Sequence, residues 1–321
     1  MTHTISKENL QAILEQAHKR FSSENSGKNA DYIPYLASVP SSLFGIAATL
    51  PDGTTITVGD CDYAFGIESV SKVPTALLAM NQHSAEVVLD KIGADATGLP
   101  FNSIMAILLE SDHPSTPLVN AGAIAACSMI LPTGNAEGKW NAIHNFIEEL
   151  CGSPVEVIDE LYRSESDTNY NNRAIAWLLK NYNRIYDCPK LSLDLYTRQC
   201  SIGITARQLA VMAATIAFSG VNPTTRRKVF EPKLTPRITS MMATVGFYEH
   251  TGDWLFMTGL PAKSGVGGGI MAVVPGVIGI AAFAPPLDES GNSVKAQKAL
   301  GYIAENLHLN IFDIKCNKEA Q

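Results

Sequence analysis

The chain has 321 residues, of which 46 % are hydrophobic and 17 % charged, and it carries a formal net charge of −7. This is the make-up of a folded protein with room for a large core, and the acidic balance excludes a nucleic-acid groove or a polybasic membrane patch. Arg226, Arg227 and Lys228 form one compact basic cluster beside Pro223, which reads as a solvated turn.

The first 21 residues mix Lys, Glu, Gln and His with scattered apolar positions, so they lack the apolar centre of a secretory signal. Within them Leu10, Ile13, Leu14, Ala17 and Phe21 recur at helical spacing and predict an amphipathic helix. Leu43 to Leu50 and Thr54 to Gly59 predict two strands joined by a turn at Pro51, Asp52 and Gly53. From Ser69 to Thr205 the pattern is helical, carried by Val73, Leu77 and Leu78, by Leu118 to Leu131, by Trp140 to Leu150, and by Ile175, Leu178 and Leu179. No long alternating strand is expected there. Thr205 then caps a helix bearing Leu209, Met212, Ala213 and Ile216.

The apolar stretch Val266 to Pro285 contains five glycines and two prolines, so it reads as turn-separated strands rather than a membrane span. The strands are expected at Gly269 to Val274 and Val277 to Phe283, and Ser293 caps a last helix with Ala296, Leu300, Ile303 and Leu307 on one stripe. To cover the C-terminal hairpin, N- and C-terminal strands must share one sheet. The expectation is an α+β fold and a single catalytic unit over 1–321. Its sheet-containing lobe is about 1–68 and 205–321, and its helical lobe about 69–204. Cys61, Cys127, Cys151, Cys188, Cys200 and Cys316 are irregularly spaced without a CxxC pair, which fits reduced buried thiols and a cytoplasmic protein.

Chemistry is concentrated in two elements. Ser69-Val70-Ser71-Lys72 is an SxxK where the first strand pair gives way to a helix, so the Lys72 amine can approach the Ser69 hydroxyl. The helix start would also aim the Ser69 amide at a developing oxyanion. Alone this motif arises by chance, and Ser at a helix start is usually a cap. Lys263-Ser264-Gly265, just before the C-terminal strands, is similar to the KTG element that accompanies SxxK in penicillin-recognising enzymes. For Lys72 to act as a base, burial or a nearby cation must lower its pKa, and Lys263 is a candidate for that cation. The seven histidines form no nucleophile elbow and no HExxH zinc motif, so neither a metal nor another cofactor is expected.

Around these elements, eight segments resemble the motifs of the bacterial and mitochondrial glutaminases, in the same order. They are Asp31 to Pro34, the Ser69 SxxK, Asn120 to Ile124, Ser164-Glu165, Asn172 to Ala176, Gln199 to Ser201, Gly246 to Tyr248 and Leu260 to Ile270. The resemblance implies a β-lactamase-like or penicillin-binding-protein-like fold, with a mainly antiparallel central sheet flanked by helices and an all-helical lobe. It also implies hydrolysis of the L-glutamine side-chain amide, and a homo-oligomer, often a tetramer. The implied site has Ser69, Lys72, Tyr248 and Tyr32 as catalytic groups. Ser69, Asn120, Glu165, Asn172, Tyr196, Tyr248 and Val266 would contact substrate, with Lys263, Ser264 and Gly265 in support. Glu165 suits an α-ammonium, while Asn120, Asn172 and tyrosine hydroxyls suit an α-carboxylate. The chain departs from the family pattern at Glu68, where Gln is usual, and at Thr116 and Thr197; these positions are expected to flank the contacts. Two rival readings are a penicillin-type hydrolase with a larger acyl donor and a glutamine sensor without chemistry.

Overall fold

The computed structural model describes residues 5–109 and 113–313; Cys316 lies outside them. Each expected amphipathic stripe becomes an element. Ser6 caps α1 (Lys7–Phe21), which buries Leu10, Ile13, Leu14 and Ala17. A short α2 (Pro34–Ser38) precedes the hairpin β1 (Gly45–Thr49) and β2 (Thr55–Gly59), paired in antiparallel register from Gly45↔Gly59 to Thr49↔Thr55. The helical block follows as α3 (Lys72–His83), α4 (Ala85–Lys91), α5 (Ile104–Leu109), α6 (Asn120–Met129), α7 (Ala136–Cys151), α8 (Asp159–Thr168), α9 (Tyr170–Asn181) and α10 (Pro189–Cys200). The helix expected over 118–131 is shorter at both ends, because Pro117 and the Leu131-Pro132 bond bracket it.

No long alternating strand occurs in this block, as expected, but two very short ones do, and they join a third that precedes it. Three very short strands, β3 (Phe65–Gly66), β4 (Glu156–Val157) and β5 (Ile202–Ile204), form a small sheet in the order β3-β5-β4. Segments of two and three residues are too short to show a period of two in sequence.

The chain then enters α11 (Ala206–Ala217), opened by a reciprocal capping box between Thr205 and Gln208. After α12 (Thr235–Val245) and α13 (Thr251–Thr258) come β6 (Ala262–Ser264), β7 (Gly269–Val274) and β8 (Ile278–Phe283), and α14 (Val294–Asn306) closes the fold. The main sheet runs β2-β1-β8-β7-β6, with antiparallel pairing throughout. N- and C-terminal strands therefore share one sheet.

Because side chains alternate across a sheet, its two faces feed different cores. Ile46, Ala48, Ile270, Ala272, Ile280 and Ala282 pack with α1 and α14. Ala47, Met271, Val273, Ala281 and Phe283 pack with α11 and the helical block. Within that block the buried Lys139 amine is satisfied by Asp187 at 2.5 Å and the Ser128 carbonyl at 2.8 Å. Cys61, Cys127, Cys151 and Cys200 are buried free thiols as expected, whereas Cys188 is exposed because it precedes the Pro189 helix start. Arg226 does more than face solvent: its guanidinium donates to the carbonyls of Pro51 and Asp52, tying its turn to the β1–β2 hairpin. No helix among the described residues is long and apolar enough to cross a membrane.

Helix α11 lies directly on β8. A Cβ on Gly279 would sit 2.1 Å from the Ala214 backbone nitrogen, a contact that no rotamer relieves. Gly279→Ala is expected to lower stability by about 1–3 kcal/mol through overpacking, read as a lower thermal unfolding midpoint; an unchanged midpoint would show that α11 moves freely over the sheet.

Candidate active site

Strand β3 ends at Gly66, and the Ile67 amide donates to the Ile202 carbonyl of β5 at 2.8 Å. The small sheet thus fixes the approach to a 3-10 turn, Glu68–Ser71, that leads into α3. Sequence reasoning placed Ser69 in the first turn of an α-helix; the tighter turn changes the geometry in a useful direction. Residues at i and i+3 eclipse in a 3-10 turn, and the Lys72 amine lies 2.6 Å from the Ser69 hydroxyl oxygen. Both are buried, Ser69 to 6 % exposure and Lys72 to 1 %.

From the other side, the segment after β6 packs onto this turn. A Cβ on Gly265 would lie 2.9 Å from the Ile67 carbonyl and 3.3 Å from the Ser69 amide nitrogen. One on Gly267 would lie 2.1 Å from the Gly66 carbonyl, so this approach requires residues without side chains. Val266 stands between them and lines the cavity beside Ser69.

The Lys72 amine also donates to Asn120 Oδ1 at 2.9 Å, which accepts in turn from the Tyr196 hydroxyl at 3.1 Å. Asn120 Nδ2 donates to Asn172 Oδ1 at 2.9 Å. Burial pushes the Lys72 amine down to about 8 from 10.5. At that value about one lysine in ten is neutral at pH 7, against one in a few thousand for a free side chain.

Lys263, the candidate cation, is itself held well below its ordinary range, first by burial and then by Lys72. Its amine donates to the carbonyls of Ser264 at 2.7 Å and Gly246 at 3.2 Å and lies 4.3 Å from the Tyr248 ring centre. Ser264 is held in contact with Asn292, and the Tyr248 hydroxyl donates to the Ser264 carbonyl at 3.3 Å. Tyr248 also hydrogen-bonds Ser69, and burial keeps its phenol protonated well above the usual range. Both Glu68 and Tyr248 have positive φ, 50° and 54°, a strained conformation that concentrates at functional sites.

These groups border a cavity of about 200 Å³, smaller than the roughly 300–1,000 Å³ of drug-sized ligand sites. Its walls include Tyr32, Ser69, Asn120, Glu165, Asn172, Tyr196 and Val266, so every residue expected to contact substrate except Tyr248 lines it directly. Tyr32, Phe101, Asn102 and Val266 are shared with a wider outer groove, which makes them the mouth. Tyr32 keeps 58 % of its surface exposed, yet its hydroxyl is kept protonated by burial and then by Tyr248, Glu68 and Glu165.

Sequence reasoning placed Glu68 beside the contacts, but its carboxyl lies within the cavity wall and hydrogen-bonds that of Glu165. Phe101, Asn169, Cys200 and Asn292 were missed as well. Adjacency to Ser69 was the available signal for Glu68; Asn292 had none. Thr197 takes a supporting place, accepting from Asn169 at 3.2 Å, and Thr116 is buried outside the cavity.

The Glutaminase family model matches residues 27–312. A glutaminase of Bacteroides fragilis is 63 % identical over 313 residues, covering 98 % of each chain. The solved structure of a probable glutaminase, ybaS, superposes with a TM-score of 0.95 at 48 % identity, over 97 % of this chain and all of that one. The Bacillus subtilis glutaminase YbgJ, solved as a covalent complex with 5-oxo-L-norleucine after reaction with 6-diazo-5-oxo-L-norleucine, matches with a TM-score of 0.83 at 31 % identity. That match covers 95 % of this chain and 99 % of the other. The α+β architecture, with its antiparallel sheet between helices, is the β-lactamase-like fold of these enzymes. By sequence over nearly its whole length and by fold, the chain belongs to the glutaminase family.

Proposed function

We propose that the protein hydrolyses the side-chain amide of L-glutamine to L-glutamate and ammonia through an acyl-enzyme on Ser69. The observation that carries this reading is the 2.6 Å contact between the Ser69 hydroxyl and a buried Lys72 amine at the wall of a small polar cavity. When Lys72 is neutral, the hydroxyl donates to Nζ and passes its proton there as Ser69 Oγ attacks the amide carbon. The amides of Ser69 and Val266 hold the oxyanion. Tyr248, in contact with Ser69, relays the proton to the departing nitrogen, and ammonia leaves. Lys72, neutral again, takes a proton from water as that water attacks the γ-glutamyl ester, and passes it to Ser69 Oγ as L-glutamate departs.

Both ends of the amino acid have suitable partners. Glu165 receives the α-ammonium, while the Asn172 amide and the Tyr32 hydroxyl receive the α-carboxylate, with Tyr196 in contact beside them. Asn120 is already committed to Lys72, Tyr196 and Asn172, so its first role is to orient the base. The cavity size favours a free amino acid over the larger acyl donors of penicillin-type enzymes. The covalent complex reported for the Bacillus subtilis relative is in keeping with a nucleophilic enzyme. In the same proposal the chain works as one catalytic unit, with the sheet-containing part supplying residues 263–266 and the helical part the remainder of the pocket. A cytoplasmic homo-oligomer is in keeping with the family, and the exposed Phe256 and Met257 of α13 offer apolar surface for it.

Ser69→Ala is expected to retain less than about a hundredth of wild-type ammonia release with unchanged circular dichroism; greater retention would remove Ser69 as nucleophile. L-Asparagine and D-glutamine, assayed in parallel, are expected to react far more slowly than L-glutamine.

Lys72 is expected to serve turnover at a cost in stability. It loses its proton near 8 when folded and near 10.5 when unfolded. Its burial therefore penalises the folded state fully below about pH 8, and the penalty fades as pH rises towards 10.5; the difference corresponds to about 3 kcal/mol. Lys72→Met should lose turnover by about a hundredfold or more yet unfold at a higher temperature at pH 7, with the gain shrinking at alkaline pH. A lower midpoint at pH 7 would mark Lys72 as a structural residue.

A further inference from the structure

Glu68 is the residue before the nucleophile, fully inside the protein, with its Oε1 buried and receiving no N–H or O–H donor. Its carboxyl meets that of Glu165, which projects from α8 into the same cavity. Lys72 is the cation that acts on both, and its amine is already engaged with Ser69 and Asn120. Two carboxylates in contact away from water cannot both ionise at neutral pH, so the pair behaves as one unit with a retained proton. Burial raises both carboxyls, and Glu68 is raised further by Glu165.

We infer that Glu68 and Glu165 form a carboxyl pair sharing one proton, that this pair receives the α-ammonium of the substrate, and that docking of the ammonium expels the shared proton. The inference rests on the glutamine reading above and adds to it a second acidic residue and a coupled proton. An ammonium beside the pair favours the doubly ionised state, and by linkage a ligand that prefers the ionised site releases a proton as it binds. Free and bound states then differ by one charge on the pair, which offsets the charge that the substrate brings. A ligand without an α-amino group gains nothing from this exchange.

The groups that face Glu68 leave few other sources for the proton. Lys72 comes from α3, Glu165 from α8, Tyr196 and Cys200 from α10, Tyr248 from the turn before α13, and Tyr32 from the segment before α2. Burial holds the three phenols and the thiol protonated well above neutral pH. Lys263 lies behind Tyr248, outside the cavity lining, with its amine donating to the Ser264 and Gly246 carbonyls. Lys72 is therefore the one competing source, and the test separates it from the pair.

L-Glutamate and glutarate, which lacks the amino group, are titrated calorimetrically into the protein at several values between about pH 5 and about pH 8. Two buffers of different ionisation enthalpy are used at each value, so that buffer dependence counts protons. The expected result is release on the order of one proton per site with L-glutamate near the middle of the range, and none with glutarate. Glu68→Gln, whose amide still donates to Glu165, should bind L-glutamate with release close to zero, and Lys72→Met should keep it. Binding to wild type without buffer dependence would overturn the inference. So would release retained in Glu68→Gln or lost in Lys72→Met, which would assign the proton to Lys72. If Glu68→Gln does not fold, the wild-type and Lys72→Met titrations decide. Ammonia release from L-glutamine is assayed on the same wild-type sample. Its absence, with no L-glutamate binding, would overturn the glutamine reading, whereas turnover without proton release overturns the carboxyl pair alone.

Discussion

A lysine amine removed from water and set against a serine hydroxyl is the constraint around which the molecule is arranged. Water would keep that amine charged; burial in α3, with every position from Lys72 to Met80 buried, makes the neutral form accessible. The cost is carried by an extensive core in which α3, α6, α7 and α10 surround the pair with apolar side chains. Positive φ at Glu68 and Tyr248 points the same way. Those residues flank Ser69 on two sides, and the surrounding packing holds them in conformations a free chain would avoid.

The topology explains how distant segments meet at this point. Strand β8, placed next to β1, brings the C-terminal hairpin into the N-terminal sheet, and β6 on its outer side delivers residues 263–266 to the nucleophile turn. The small β3-β5-β4 sheet braces the turn from below. Glycines at 265 and 267 let two backbones touch. Asparagine and tyrosine groups from the helical block complete the cavity with partners that are neutral near pH 7, so its charge is concentrated on Lys72, Glu68 and Glu165.

Much of this was legible in the sequence where the signal is local. The stripes of α1, α11 and α14, the caps at Thr205 and Ser293, and both hairpins follow from spacing and turn chemistry, and they appear with boundaries shifted by a residue or two. The approach of Lys72 to Ser69 follows from an i, i+3 separation. Convergence of Asn120, Glu165, Asn172, Tyr196 and Val266 was not legible from local pattern, because each lies on a different element; it entered through resemblance. Long-range electrostatics were the least visible. Lys263 looked like a helpful cation, but burial and Lys72 both act against its charged form. Glu68 looked like a flanking change, yet a 3-10 turn directs its carboxyl onto Glu165. The three-stranded sheet escaped notice because strands of two or three residues carry no periodicity.

The account turns on the protonation state of one amine. Observation of the Lys72 Nζ signal by nitrogen-15 NMR in the 321-residue protein, identified by its loss in Lys72→Met and followed with pH, measures that state directly. The account predicts a titration midpoint near 8. A Lys72 that stays protonated until about pH 10, as a solvated lysine does, would contradict it.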